Sequence, residues 1–221
     1  MLKKEAKWLG RAIYSIPAGE VFPMLNVGSS TRYFREVKQP WLYEYILKPA
    51  GDHKHSILHT DLKAEPGVDL VGDFIDPAFL TKLSGLSIRS ILCANVLEHL
   101  AEPAQFCGAM TSLLPAGGLI FLSVPHVYPY HSDPIDTRFR PDVPELAGLF
   151  PKCEIVRGQI VDCGRYISQE RNPPFLFALQ LLVRLLLPFY RPSRWYSASI
   201  GKLFWLFKNV SVTCAVLRKR T

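Results

Sequence analysis

A chain of 221 residues with 48% apolar and 20% charged side chains can build one substantial core, which excludes disorder and points to a single domain over 1–221. The net charge of +7 is unevenly placed: nine of the 26 Lys and Arg, and none of the 19 Asp and Glu, lie from residue 171 onward. Residues 1–170 hold 17 basic against 19 acidic side chains, and the basic quarter is also strongly apolar. That pairing suits an anionic membrane surface better than nucleic acid, which is set aside as a partner.

Cys93, Cys107, Cys153, Cys163 and Cys214 are dispersed and lack metal-ligand spacing. They read as buried, reduced thiols of a cytoplasmic protein, with no metal site. Met1-Leu2-Lys3-Lys4-Glu5 opens basic, but charged and polar residues interrupt the next stretch, so no signal peptide is expected.

Residues 3–15 have helical spacing with Trp8, Leu9, Ile13 and Tyr14 on the buried face, and Pro17 and Gly19 stop the helix. A first strand covers Met24–Val27. Phe34 to Leu47 reads as helix and linker, interrupted at Pro40 and ended by Pro49 and Gly51. Strands come next at 56–62 and 68–74, each with an acid near its end, then a helix over 77–86. A fourth strand spans 88–95 and a helix broken by Pro103 spans 96–114. A continuous apolar run at 119–125 is the fifth strand, and 154–166 and 210–217 are the sixth and seventh. Apolar strands alternating with helices imply a mostly parallel sheet covered on both faces, with ligands beyond the C-terminal strand ends beside the first strand.

Gly28 allows a turn that a Cβ would obstruct. Ser29, Ser30 or Thr31 can cap the next helix and leave N–H groups for an anion. Asp61, ending the second strand, is placed to accept bonds from ribose hydroxyls, and Asp73 to accept from an exocyclic amine; either could instead cap a helix. A dinucleotide dehydrogenase is disfavoured, because a third glycine is missing and Asp61 lies 33 residues beyond Gly28.

With these residues in place the chain resembles class I S-adenosylmethionine-dependent methyltransferases, especially small bacterial ones with a motif like Val96-Leu97-Glu98-His99 after strand four. The markers are LNVGSS, HTDL, VGDF, ANVLEHL, LLPAGGLIFLSVP and YPYHSDPIDTRFRP, in that order over about residues 24 to 166, with the last strand rejoining near 210. The resemblance implies an α/β fold: a Rossmann-like seven-stranded, mostly parallel sheet, helices on both faces, the last strand antiparallel, and an apolar helical insertion before it. It implies S-adenosyl-L-methionine as cofactor. Asn26, Gly28, Ser29 and Ser30 would face its methionine part, and Asp61, beside Leu62, would hold the ribose. Asp73 and Phe74 would flank the adenine, with Asn95 and Val96 as the floor. Asn26 stands where an acid is usual in that family, and Ser30 and Arg32 where further glycines are usual. The activity implied is methyl transfer to an oxygen of a small-molecule, glycan or lipid-linked acceptor. The second reading is a catalytically inactive protein of the same fold, serving as a cofactor-binding or membrane-docking scaffold.

The segment after strand five, His126 to Arg140, leaves the C-terminal edge of the sheet and is dense in chemistry. A histidine suits removal of a hydroxyl proton near neutral pH, so His131 and then His126 are the candidate bases, with Asp133 or Asp136 as orienting partner. Tyr130 and Arg138 are candidates to bind the acceptor. Asn172-Pro173-Pro174-Phe175 spells a motif of amino-directed nucleic-acid methyltransferases, but it stands far from strand four and reads as a helix start. The 13 residues from Phe175 to Leu187 are almost wholly apolar, yet as a helix they reach only about 20 Å, short of the roughly 30 Å hydrocarbon core. The insertion 172–208 is therefore either a cover on the sheet or in a homodimer interface, or a peripheral contact on the inner membrane face.

Overall fold

In the computed structural model of the chain, residues 1–130, 135–169 and 205–221 are described, together with Leu176, Leu179, Leu182, Val183 and Leu186. Among the described residues seven strands form one sheet: β1 (Met24–Val27), β2 (Ile57–Asp61), β3 (Leu70–Val71), β4 (Ser90–Ala94), β5 (Leu119–Val127), β6 (Cys153–Arg165) and β7 (Asn209–Lys219). Their order is β3-β2-β1-β4-β5-β7-β6. The first five run parallel, and β7 is antiparallel to both its neighbours. This is the Rossmann-like sheet expected, with β1 at the point where the strand order reverses.

Alternation along the strands builds two cores, one on each face. Leu25, Ile91, Cys93, Ile120 and Leu122 face one cluster, closed by α5 (Pro77–Ser84), α6 (Pro103–Leu113) and α7 (Val143–Gly148). Met24, Leu92, Leu119 and Phe121 face the other, closed by α1 (Lys3–Tyr14) and helical turns over 34–52. Both sides of each central strand are apolar because neither meets water. All five cysteines are buried thiols, none bridged to another.

Several expectations are corrected. The first helix ends at Tyr14, ahead of Pro17, but Gly19 stops no helix: it lies within a four-residue helix, α2 (Ala18–Val21), that Pro17 introduces. Pro49 and Gly51 do not end the second helical stretch: π-type turns at Phe34–Lys38 and Tyr43–Leu47 alternate with α3 (Pro40–Leu42) and α4 (Lys48–Asp52). Pro40 and Pro49 each stand in the first turn of a short helix, where a missing N–H costs little. The third strand shrinks to two residues, because Asp69 and Asp73 spend their carboxylates on backbone N–H groups of His59 and Ile75, at 2.8 and 3.0 Å. The first reaches across to β2 and the second is local, and each takes up an N–H with a side-chain acceptor in place of a backbone carbonyl. Pro103 opens α6 rather than breaking a longer helix, and a single 3-10 turn, Leu97–His99, precedes it.

Candidate functional site

Two clefts open at the C-terminal ends of the parallel strands, one on each side of β1. The first, about 320 Å³, includes Glu5, Asn26, Gly28, Ser29, Phe34, Gln39, Asn95, Glu98, His99, Pro125 and Tyr128 in its lining. The second, about 360 Å³, includes Gly28, Thr60, Asp61, Leu62, Asp73, Phe74, Ile75, Val96, Gln105 and Phe106. Val27 and Gly28 belong to both.

Gly28 has φ +65°, and a Cβ built on it would stand 2.6 Å from Val96 Cγ2. Ser30 lies in the left-handed region at φ +55°, and its N–H donates to Asp61 Oδ2 at 2.8 Å. Arg35, itself buried, donates to the Ser30 carbonyl at 2.5 Å and to the Gly67 carbonyl at 2.7 Å. Thr31 Oγ1 accepts from Phe34 N–H at 2.9 Å, which makes it the cap among the three hydroxyl residues. Arg32 finds room against Gly67, whose absent Cβ would lie 2.7 Å from the Arg32 Cβ. The left-handed Ser30 and the accommodated Arg32 show how this chain forms the turn without further glycines.

Asp61 is fixed at the rim of the second cleft by the Ser30 N–H and, at 3.2 Å, by the Lys63 N–H. Both bonds come from backbone, so the carboxylate is oriented while retaining acceptor capacity. Leu62 and Ile75 are exposed beside it, and Phe74 is buried against Phe106 and Phe79. The result is an apolar slot with carboxylates near one end. On the first-cleft side, Asn26 Nδ2 lies 3.1 Å from His59 Nδ1. Burial, helped by Arg35, pushes the His59 pKa down to about 4, so the imidazole is neutral at pH 7 and can accept from the amide.

Two acids in the first cleft carry no role in the reading of the sequence. Glu5 of α1, 1% exposed, accepts from Asn95 Nδ2 and from Ser123 Oγ, both at 2.7 Å, and from Leu2 N–H at 2.7 Å. It therefore ties α1 to the ends of β4 and β5. The signal was present: Glu5 lies on the same helical stripe as Leu9, Ala12 and Ile13, where an acid is out of place. Glu98 is 0% exposed, and its carboxyl oxygens have no hydrogen-bond partner. It stands in the motif after β4, but nothing local in the sequence marked its carboxyl as buried.

The segment after β5 is stitched to the turn that carries Glu98. Thr137 donates to the Glu98 carbonyl through N–H and Oγ1 at 2.9 and 3.0 Å, and His99 Nδ1 bonds the Ile135 carbonyl. Asp136 is buried in a two-point pair with Arg140, at 3.0 and 2.6 Å, and accepts from Arg138 N–H at 2.8 Å. The Arg138 guanidinium lies 5.3 Å from the ring centre of the exposed Tyr130. His126 Nδ1 lies 3.2 Å from the Pro141 carbonyl, and His126 lines neither of the two clefts. His131, Asp133 and the motif at 172–175 lie outside the described residues. Among the described residues no group of His, Cys, Asp and Glu is arranged to hold a metal ion.

No protein-family model matches the chain, and no curated protein sequence matches it. Among solved structures, the [4+2]-cyclase SpnF superposes with a TM-score of 0.55 at 14% identity, over 97% of this chain and 82% of its own. The 1,6-didemethyltoxoflavin-N1-methyltransferase of Burkholderia thailandensis, with 1,6-didemethyltoxoflavin and S-adenosylhomocysteine bound, gives 0.50 at 14% identity, over 99% and 80%. A SAM-dependent methyltransferase from Archaeoglobus fulgidus gives 0.50 at 13% identity, over 97% and 94%. What this chain shares with them is the Rossmann-like fold of S-adenosylmethionine-dependent methyltransferases, a fold that also serves a cyclase.

Proposed function

We propose that the chain is an S-adenosyl-L-methionine-dependent methyltransferase that methylates an oxygen of a small-molecule, glycan or lipid-linked acceptor. The observation that carries this reading is the pair of clefts meeting at Gly28, with the oriented Asp61 carboxylate and an apolar slot on one side. The residues fit a nucleoside: Asp61 would accept from ribose hydroxyls, and Leu62, Asp73, Phe74 and Ile75 would enclose a purine. The missing Cβ of Gly28 lets Val96 pack against the turn where the two clefts meet, and the chain that links nucleoside to methyl group would cross there. Asn26, Ser29, Ser30 and Asn95 surround that passage or support it. When bound, the cofactor supplies a methyl carbon bonded to a positively charged sulfur, open to in-line attack.

The protein's own task is alignment and removal of a proton. His131 and His126 remain the candidates from the segment after β5 for taking the acceptor's proton, with Asp133 as orienting partner and Tyr130 and Arg138 as acceptor contacts. Asp136, committed to Arg140, serves by holding that segment in shape. The inactive alternative is less well supported, because the departures at Ser30 and Arg32 are absorbed locally and the turn keeps its form. Calorimetric titration with S-adenosylhomocysteine and S-adenosylmethionine tests the reading: binding is expected below millimolar concentration, and none at millimolar ligand would sink it. Asp61→Ala should lower affinity about 10- to 100-fold, the worth of hydrogen bonds to a charged group. His131→Ala should bind normally and fail to pass labelled methyl to a cell extract.

We further infer a peripheral contact with anionic membranes through 172–208. Leu176, Leu179, Val183 and Leu186 are helical and exposed at spacings that place them on one face, in a region whose charged side chains are all basic. No described helix is long and apolar enough to cross a membrane. Co-sedimentation with phosphatidylserine vesicles should occur at low salt and weaken at high salt; no sedimentation at low salt would leave the insertion as a cover or a homodimer contact.

A further inference from the structure

The first cleft is lined by two carboxyl groups, Glu5 and Glu98, and by no described Lys or Arg side chain, in a protein whose net charge is +7; the one positive group in its described lining is the Met1 ammonium, which donates to Gln39 Oε1 at 2.6 Å. Glu5 is fully engaged by Asn95, Ser123 and Leu2. Glu98 is not. Both its oxygens are out of contact with water and have no hydrogen-bond partner. An unpartnered buried carboxyl is costly, and native proteins keep few of them without a use.

The charged and titratable groups around it do not supply the missing partner. Glu5 on α1 and Asp136 on the segment after β5 repel its charged form, and Cys93 on β4 is a buried neutral thiol. Arg140 attracts it from a distance but is held in its two-point pair with Asp136. His99, the adjacent residue, brings Nε2 no closer than 3.8 Å to Glu98 Oε1. Burial, and secondarily Glu5, pushes the Glu98 pKa up to about 7, against its own backbone N–H, which favours the charged form without making a well-formed hydrogen bond. A dry, electronegative wall of this kind stabilises a cation.

We propose that Glu98 is the counter-charge for a cationic ligand group in this cleft, the sulfonium of the methyl donor, and that it changes from a neutral acid to a carboxylate when the donor binds. The inference rests on the methyltransferase reading and deepens it. In the binding step the Glu98 O–H bond breaks, the proton leaves to the buffer, and the donor's own charge is unchanged. The neutral thioether product offers no such charge, so the cleft favours the donor over the product and assists product release.

Calorimetry in two buffers of different ionisation enthalpy counts the protons released. At pH 6 the wild-type protein should release close to one proton on binding S-adenosylmethionine and none on binding S-adenosylhomocysteine. Release should fall toward zero by about pH 8.5, where Glu98 is already ionised. Affinity for the donor should rise about tenfold from pH 6 to pH 8 and then level, while product affinity gains nothing. Glu98→Gln should abolish the release and the rise while binding S-adenosylhomocysteine as tightly as wild type, which also shows that the variant is folded. The ligand's own amino group titrates alike with both proteins and cancels in the comparison. Donor binding without proton release at pH 6 overturns the inference alone, as does release that survives in Glu98→Gln or is lost in His99→Gln. Failure of both ligands to bind overturns the methyltransferase reading and this inference with it.

Discussion

Gly28 carries two separate demands, and a single methyl group would offend both. Its φ of +65° is strained for any residue with a Cβ, and the Cβ itself would collide with Val96 Cγ2. Gly28→Ala should therefore cost at least about 1 kcal/mol in thermal or denaturant unfolding and push Val96 out of place where the two clefts meet, weakening cofactor binding in a titration. Adding Val96→Ala should restore part of the binding but not the backbone cost. A double variant as stable as wild type would show that the conformation is not strained. Gly28 and Asp61 were legible in the sequence because their roles depend on place in the chain: one ends a strand at a turn, the other ends the neighbouring strand. The burial of Glu98 was not, because whether a carboxyl finds a partner depends on residues brought in from α1 and from beyond β5.

At the scale of elements, α1 is more than a cover for one face of the sheet. Its apolar stripe packs on the sheet, and Glu5, at the same edge, reaches Asn95 after β4 and Ser123 on β5. Glu5→Ala would leave both donors without that acceptor, at a cost of about 1 to 3 kcal/mol. The expected outcome is a lower thermal midpoint and weaker cofactor binding, with Ser123→Ala in the same background recovering part of the stability. An unchanged midpoint would mean that water replaces Glu5 without loss. The helix itself was readable from its period, but the acid on its buried stripe makes sense only beside the strands it reaches. The short β3 and the helical turns through Pro49 teach the same lesson. Aspartate side-chain bonds curtailed one apolar run, and a proline in a first turn let the other continue.

For the whole molecule, His59 and Glu98 give stability opposite slopes with pH. The His59 pKa is depressed from 6.5 to about 4, so its contribution is complete above 6.5 and lost as pH falls toward 4. The Glu98 pKa is raised from 4.5 to about 7, so its contribution is complete below 4.5 and lost as pH rises through 7. The two oppose each other between 4.5 and 6.5, where the unfolding midpoint of the ligand-free protein should vary little. Glu98→Gln should match wild type near pH 4.5 and exceed it increasingly up to pH 7, by at most about 3 kcal/mol. Equal midpoints at pH 7.5 would mean that Glu98 is ionised without penalty.

The alternation of strands and helices, the mostly parallel sheet, the turn at Gly28 and the acids at the ends of β2 and β3 all follow from the order of residues along the chain. These depend on hydrophobic period and turn chemistry, which act within a few residues. Which side chains share a cleft was settled by the packing of the folded chain. It brought Glu5 across 90 residues to Asn95, closed Asp136 on Arg140, turned His126 toward Pro141 and left Glu98 buried without a partner. Those outcomes are set by packing between elements distant in the chain, where burial and the supply of partners, and not local propensity, fix each group's charge.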